Sequence, residues 1–235
     1  MCGDVRKILS PLEFSFAAFS FTPTIIITDP PYPELEKHRA VGTTTRLTKK
    51  WFKTLSWDEL GEIFELLYKI SHKNTHLYVW GNSQSIFNAK PMIERAGWKF
   101  WNIIVWNKKR IGMGYHYRNT VEFVLFFEKG KKKLRNLNTT NYFEEKIDNS
   151  FLSLHPTFKP ISMQMQLIWN SCQKKEVVFD PFMGAGSTLI ATYFVNKKFG
   201  ADISYIGVEI EEEYCKAAIN LAKKYGIDVE YLKLE

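Results

Sequence analysis

A short apolar strand that runs into a glycine turn and a helix start restricts this chain more than anything else in its sequence. Residues 176–188 read Glu-Val-Val-Phe-Asp-Pro-Phe-Met-Gly-Ala-Gly-Ser-Thr. Gly184 and Gly186 let the backbone approach a ligand closely. The amides that follow face that ligand from the first turn of a helix continuing through Leu189, Ala191 and Phe194. The next strand, residues 205–210, ends with Glu209, roughly 20 positions after Gly186, the separation expected of an acid gripping ribose hydroxyls. Strand, glycine turn, helix, strand and acid in that order predict an α/β fold that binds an adenosine-containing cofactor.

A second strand end lies about 150 positions upstream. Ile25-Ile26-Ile27 is a β-branched run of buried-strand character. It is followed by Thr28-Asp29-Pro30-Pro31-Tyr32, where two prolines forbid further ladder pairing and fix an extended turn. The turn presents a carboxylate (Asp29), a carbonyl (Pro30) and an aromatic face (Tyr32). Together they suit a planar molecule with an exocyclic amino group: two acceptors for its N–H bonds and a ring to stack on it.

Between and around these turns the pattern is that of one α/β domain over residues 1–235. Residues 3–9 read as a strand end and short helix, and 14–21 as an aromatic stretch packing under the sheet. Residues 33–57 are polar and basic and read as a mobile loop, suited to a lid or a nucleic-acid contact. Ser56 and Glu59 form a capping box for a helix over 57–71 that buries Leu60, Ile63, Phe64, Leu67 and Tyr68. A strand (77–80), a helix (83–96) and two strands (99–106 and 120–127) follow. A further helix is expected over 161–172, another over 211–225, and a last strand over 229–234 at the sheet's edge.

Net charge is +7, which favours a polyanionic partner. The cations cluster. Lys108, Lys109, Arg110, Tyr115 and Arg118 lie in the excursion between two strands, and Lys131, Lys132 and Lys133 open a polar stretch over 129–153. These are the candidate nucleic-acid contacts, cations for phosphates and tyrosine for bases. Three scattered cysteines make no CxxC pair, and the five histidines make no HxH or HExxH. That argues against a catalytic metal or disulfide framework and for a reducing, cytoplasmic setting. No signal peptide and no apolar run of membrane-spanning length is visible.

In chain order TDPPY, HPTFKP, DPFMGAGST and GVEIEEEY resemble the beta class of S-adenosylmethionine-dependent DNA amino-methyltransferases, in which the catalytic half precedes the cofactor half. Dinucleotide oxidoreductases share the glycine turn but lack a DPPY partner. The resemblance implies a circularly permuted, Rossmann-like methyltransferase fold. Its sheet would have about seven strands, mostly parallel with one reversed, and helices on both faces. Residues 1–128 would form the catalytic half, 129–153 a small recognition insert or linker, and 154–235 the cofactor-binding half.

By that resemblance Asp29, Pro30, Pro31 and Tyr32 form the catalytic pocket. Asp180, Phe182, Gly184 and Gly186 form the cofactor turn, with Ser187, Thr188 and Lys159 at the cofactor's amino-acid end. Glu209 would hold the ribose and Ile210 lie against the adenine. The implied reaction is methyl transfer from S-adenosylmethionine to adenine N6 in double-stranded DNA, with the base flipped out. Cytosine N4 is the nearest rival target. A non-catalytic DNA-binding subunit of a methyltransferase pair is the rival from another class. A homodimer mate and a cognate restriction endonuclease are the further partners the resemblance suggests, since the insert is short for independent sequence readout.

Overall fold

The computed structural model describes residues 1–9, 21–34, 54–112, 116–147, 151 and 158–233. The aromatic stretch 14–20, most of the basic loop 33–57, Tyr115 and the first three residues of HPTFKP lie outside them. Seven strands are present among the described residues: β1 (Ile25–Thr28), β2 (Thr75–Gly81), β3 (Lys99–Asn107), β4 (Val121–Lys129), β5 (Tyr142–Glu144), β6 (Val177–Asp180) and β7 (Ser204–Gly207). They form one sheet in the order β5-β3-β4-β2-β1-β6-β7. β4 runs antiparallel to β2 and β3. The other neighbours are parallel.

Helices cover both faces. On one side α1 (Val5–Leu9), α2 (Trp57–Ile70) and α3 (Ser85–Arg95) bury Leu9, Ile63, Phe64 and Ile93 against Ile26, Leu77, Val79 and Phe127. On the other, α4 (Ile161–Ser171) and α5 (Ser187–Phe199) bury Leu167, Ile168 and Val195 against Ile25, Ile27, Tyr78 and Val178. This is why β1 reads as an unbroken apolar run rather than an alternating one: covered on both faces, all four of its residues are buried. Each isoleucine removed from water there contributes about 1.5–3 kcal/mol. α6 (Glu212–Lys224) packs beside α5 through Ala218 and Leu221.

The capping box of α2 forms as expected. Glu59 N donates to Ser56 Oγ at 3.2 Å, and Ser56 N donates to Glu59 Oε2 at 2.8 Å. Tyr68 is only half-buried, with its ring edge-on to Trp98 and the Lys129 ammonium 4.4 Å from its centroid.

Two expectations change. Residues 229–233 form no strand. One isolated bridge, Cys2 to Lys233, is all the pairing there, because the N-terminal residues take the edge beside Gly207 and Glu209: Met1 N donates to the Gly207 carbonyl and Glu209 N to the Met1 carbonyl. The seventh strand comes instead from the expected insert: β5 extends the opposite edge, parallel to β3. The rest of the described insert is also tied down. Arg135 stacks 3.9 Å from the Trp169 ring centroid and donates to the Cys172 carbonyl at 2.7 Å. The segment is part of the domain, not a module apart from it.

Candidate active site

β1 and β6 are parallel neighbours, so the turns after Thr28 and Asp180 emerge side by side at the same end of the sheet. Both line one cavity of about 270 Å³, with Asp29, Pro30 and Tyr32 on one wall and Asp180, Gly184 and Glu209 on the other. This is the carboxyl end of the parallel strands, where open α/β sheets bind ligands.

The cofactor wall is built mostly of backbone. Gly184 (φ 52°) and Gly186 (φ 87°) occupy the left-handed region, and a Cβ at Gly186 would sit 3.2 Å from Ala218 Cβ. Glu209 follows β7. Its Oε2 accepts from Gly184 N and its Oε1 from Glu211 N, each at 2.9 Å. One carboxylate thus braces the glycine turn while retaining lone pairs on the cavity side. Burial pushes its carboxyl above the ordinary value. Ile210 is half-exposed at the cavity's rim.

Ser187 and Thr188 open α5, but their hydroxyls are committed to Gln164. Gln164 Nε2 donates to Ser187 Oγ at 2.9 Å, and Thr188 Oγ1 donates to Gln164 Oε1 at 2.8 Å. What they offer a ligand is their backbone amides, at a helix start with no side-chain cap.

Asp180 is 4% exposed. Burial pushes its carboxyl up to about 7, against the opposing influence of the nearby Thr188 side chain and the hydrogen bond that Phe182 N donates to Oδ1. In an unfolded chain an aspartate titrates near 4. The folded state therefore holds this proton more tightly. Its contribution to stability is fully present at low pH and is lost as pH rises towards 7. Asp180→Asn is accordingly expected to raise the melting temperature of the ligand-free protein at pH 8 and to change it little at pH 4, which thermal melts at the two pH values will check.

On the other wall Tyr32 is buried. Its hydroxyl donates to the Trp80 carbonyl at 2.9 Å, and its ring packs 5.4 Å from Trp57. The Pro30 carbonyl accepts from Tyr32 N at 2.9 Å and keeps a second lone pair. Asp29 Oδ2 is 2.9 Å from Lys159 Nζ, and Oδ1 has no partner among the described residues. Lys159, expected at the cofactor's amino-acid end, lines the same cavity as Gly184, Ser187 and Thr188 and is there ion-paired to Asp29. It also reaches Glu122 Oε2 at 3.1 Å, and Glu122 Oε1 lies 3.3 Å from Lys108 Nζ.

Burial raises Asp29's carboxyl above its ordinary value, Lys159 draws it back, and Glu122 pushes it up. Burial works against the Lys159 charge, but Asp29 and Glu122 outweigh it and hold the ammonium above its usual range. Burial likewise presses Glu122 upward, but Lys159 and Lys108 overcome it, leaving that carboxyl below its ordinary value.

Glu122 was missed from sequence. The available signal was a lone acid near the start of the otherwise apolar run Val121 to Phe127. Gln164, Asn82 and Asp4 were missed too. Asp4 lies in the Gly-Asp-Val-Arg segment, which lines the cavity and pairs Arg6 with Asp4 and Glu59.

The basic candidates divide. Lys108 lines the cavity. Lys109 pairs with Glu144 at 3.0 Å, Arg110 is exposed, and Arg118 Nε donates to the Gly112 carbonyl. All lie at the cavity end of the sheet. Lys131, Lys132 and Lys133 do not. In the antiparallel register Lys129 faces Thr75, the start of β2, so these lysines leave the sheet at its far end. Lys132 is buried and pairs with Glu176 at 2.9 Å, so it is a structural cation and not a phosphate contact. Lys131 and Lys133 are exposed at that far end, away from the cavity.

The residues fit S-adenosylmethionine: a glycine turn with open amides, an acid at ribose distance along the chain, and an apolar rim. A model of the DNA methylase family that covers N6 and N4 amino-methyltransferases matches residues 24–220. The chain belongs to that family. The methylase is 28% identical to the Type II methyltransferase M.HinfI of Haemophilus influenzae over 249 aligned positions, covering 90% of this chain and 67% of that one. It is 24% identical to M2.LlaDCHI of Lactococcus lactis subsp. cremoris, covering 86% and 84%.

Among solved structures, the M1.HpyAVI–SAM complex superposes with a TM-score of 0.67 at 22% identity, covering 93% of the methylase and 96% of that chain. The cytosine-N4-specific PvuII DNA methyltransferase superposes with a TM-score of 0.60 at 15% identity, covering 93% and 83%. Both share the fold. The methylase is an S-adenosylmethionine-dependent DNA methyltransferase. Among its described residues no helix is long and apolar enough to cross a membrane.

Proposed function

We propose that this methylase modifies the exocyclic N6 of an adenine flipped out of duplex DNA. The observation that supports the reading is the shared cavity, in which the Asp29 carboxylate and the Pro30 carbonyl face the glycine turn. Asp before Pro-Pro-Tyr favours adenine by resemblance to the beta class.

An aromatic amine is a poor nucleophile because its lone pair is conjugated into the ring. Asp29 Oδ1 and the Pro30 carbonyl accept its two hydrogens and favour the pyramidal, attacking form. Tyr32, buried and anchored through its hydroxyl, backs the pocket for the base with a fixed aromatic side chain. Gly184, Gly186 and the amides of Ser187 and Thr188 hold the cofactor's amino-acid end. Glu209 holds its ribose, and Ile210 covers its adenine. S-adenosylmethionine, when bound, supplies a methyl group already labile on a sulfonium. The remaining task is in-line positioning. As the N–C bond forms the S–C bond breaks, and the extra proton passes from nitrogen to Asp29 and on to water.

A target amine stacked in a duplex cannot reach this cavity, so the base must leave the stack. Lys108, Lys109, Arg110 and Arg118 lie on the strand of chain beside the cavity mouth and supply the cations for the phosphates. The Type II relatives favour a restriction system, with a cognate endonuclease acting on the same site. A homodimer mate would extend the surface available for reading it.

Duplex DNA treated with purified protein and cofactor, digested to nucleosides and analysed by mass spectrometry, is expected to yield N6-methyldeoxyadenosine. N4-methyldeoxycytidine would reassign the target. DNA that is bound but never modified would favour the non-catalytic subunit.

A further inference from the structure

Glu122 is a carboxylate of the cavity for which neither the cofactor nor the target amine has a use. It stands at the start of β4, directly after the basic excursion. Its two oxygens divide between two ammonium groups, Lys159 at 3.1 Å and Lys108 at 3.3 Å. Lys159 in turn is shared between Glu122 and Asp29. Four charged groups from four separate segments therefore form one chain, Lys108–Glu122–Lys159–Asp29, with two charges of each sign. The Lys159 side chain is 10% exposed, and its ammonium also lies 5.0 Å from the Trp80 ring centroid. It has no other carboxylate within reach among the described residues.

We infer that Glu122 is a positioning residue: by sharing Lys159 with Asp29 it fixes the orientation of the carboxylate that grips the target amine and preserves its strength as an acceptor. The inference rests on the reading of Asp29 as that acceptor. The physical reason is a division of charge. An ammonium given wholly to Asp29 would occupy that carboxylate, draw electron density from it and weaken both its hold on an N–H and its uptake of the proton afterwards. An ammonium split between two carboxylates orients Asp29 at smaller cost to its basicity. Lys108 does for Glu122 what Lys159 does for Asp29, so the buried carboxylate is not left half-paired.

The arrangement makes opposite demands on two substitutions. Asp29 is faced by Lys159 from the segment before α4, by Glu122 from β4, by Asp180 from the end of β6 and by Tyr32 from its own turn. Glu122→Gln removes a neighbouring negative charge and leaves Lys159 to Asp29 alone. The single-turnover methylation rate is expected to fall about tenfold or more, and the acid limb of its pH profile to move to lower pH. Lys159→Met leaves two carboxylates facing each other with no cation between them. Its rate also falls, but its acid limb is expected to move the other way, upward by about one unit or more. Glu122→Asp keeps the charge and is expected to keep the limb near its wild-type position.

The experiment measures single-turnover rates on duplex DNA across pH for these three variants and Asp29→Ala, with cofactor titration and thermal melts on each. Cofactor affinity within about twofold of wild type separates positioning from a collapsed site. Limbs that move in opposite directions support the inference. Limbs that stay put, or move together, overturn it. Turnover surviving in Asp29→Ala removes the reading of Asp29 itself; an Asp29-dependent enzyme with unmoved limbs removes only the role of Glu122.

Discussion

Asp29→Ala is expected to lower methyl transfer by about a thousandfold or more while cofactor affinity stays within a few-fold of wild type. The magnitude follows from what the side chain does. Removing one preorganised hydrogen-bonding group from a transition state costs about 10²–10³ in rate, and in the proposed mechanism the same group also takes the departing proton. Binding is spared because Asp29 belongs to the β1 turn, while the cofactor wall is built from the β6 turn and the residue after β7. Lys159 keeps Glu122 as a partner in this variant, so no buried ammonium is stranded. Calorimetric titration with cofactor beside a tritium-methyl assay separates the two quantities. Unchanged turnover would remove Asp29 from the chemistry.

Glu209→Ala is expected to show the converse, a loss of cofactor affinity of about a hundredfold with duplex DNA binding retained. Two charge-assisted bonds, to Gly184 N and Glu211 N, disappear with the carboxylate, each of a kind that contributes about 1.5–3 kcal/mol. The glycine turn loses its brace and, on the proposed reading, the ribose loses its acceptor. Glu209→Gln retains one acceptor oxygen and should fall between. Titration of both variants with cofactor, with a DNA mobility shift as the control, checks the ordering. Weaker DNA binding of the same size in Glu209→Ala would point to general unfolding of this end of the sheet.

Most of what positions the site was legible because its signals are local. The prolines after Asp29, the positive-φ glycines at 184 and 186 and the capping box at Ser56 each act on backbone within a few residues, and Glu209 stands out by its place just after a strand although its carboxylate reaches Gly184 N, 25 positions away. What escaped was long-range. Glu122 is unremarkable as a residue in a strand and acquires a role only because β4 lies beside β2 and carries it to Lys159. Gln164 is one polar residue in an apolar helix until α4 packs on α5 and brings it to Ser187 and Thr188. Lys132 misled for the same reason. In sequence it belongs to a basic run, while in space Glu176 claims it at the far end of the sheet. The last strand failed for a long-range reason too: residues 229–233 have strand composition, but Met1 and Cys2 take the place beside Gly207 and Glu209 that it would need.

The place of β1 has a consequence for how the protein is made. Its two neighbours are β2, about 50 residues downstream, and β6, about 150 residues downstream. A chain emerging from the ribosome can zip β1 to β2 early, but the other edge of the same strand stays bare until β6, about 150 residues later, has been synthesised. Non-local pairing of this kind slows folding and leaves a hydrophobic ribbon open to the wrong partner in the meantime. The order of the two halves along the chain thus lengthens the interval in which Ile25, Ile26 and Ile27 lack one of their two neighbouring strands.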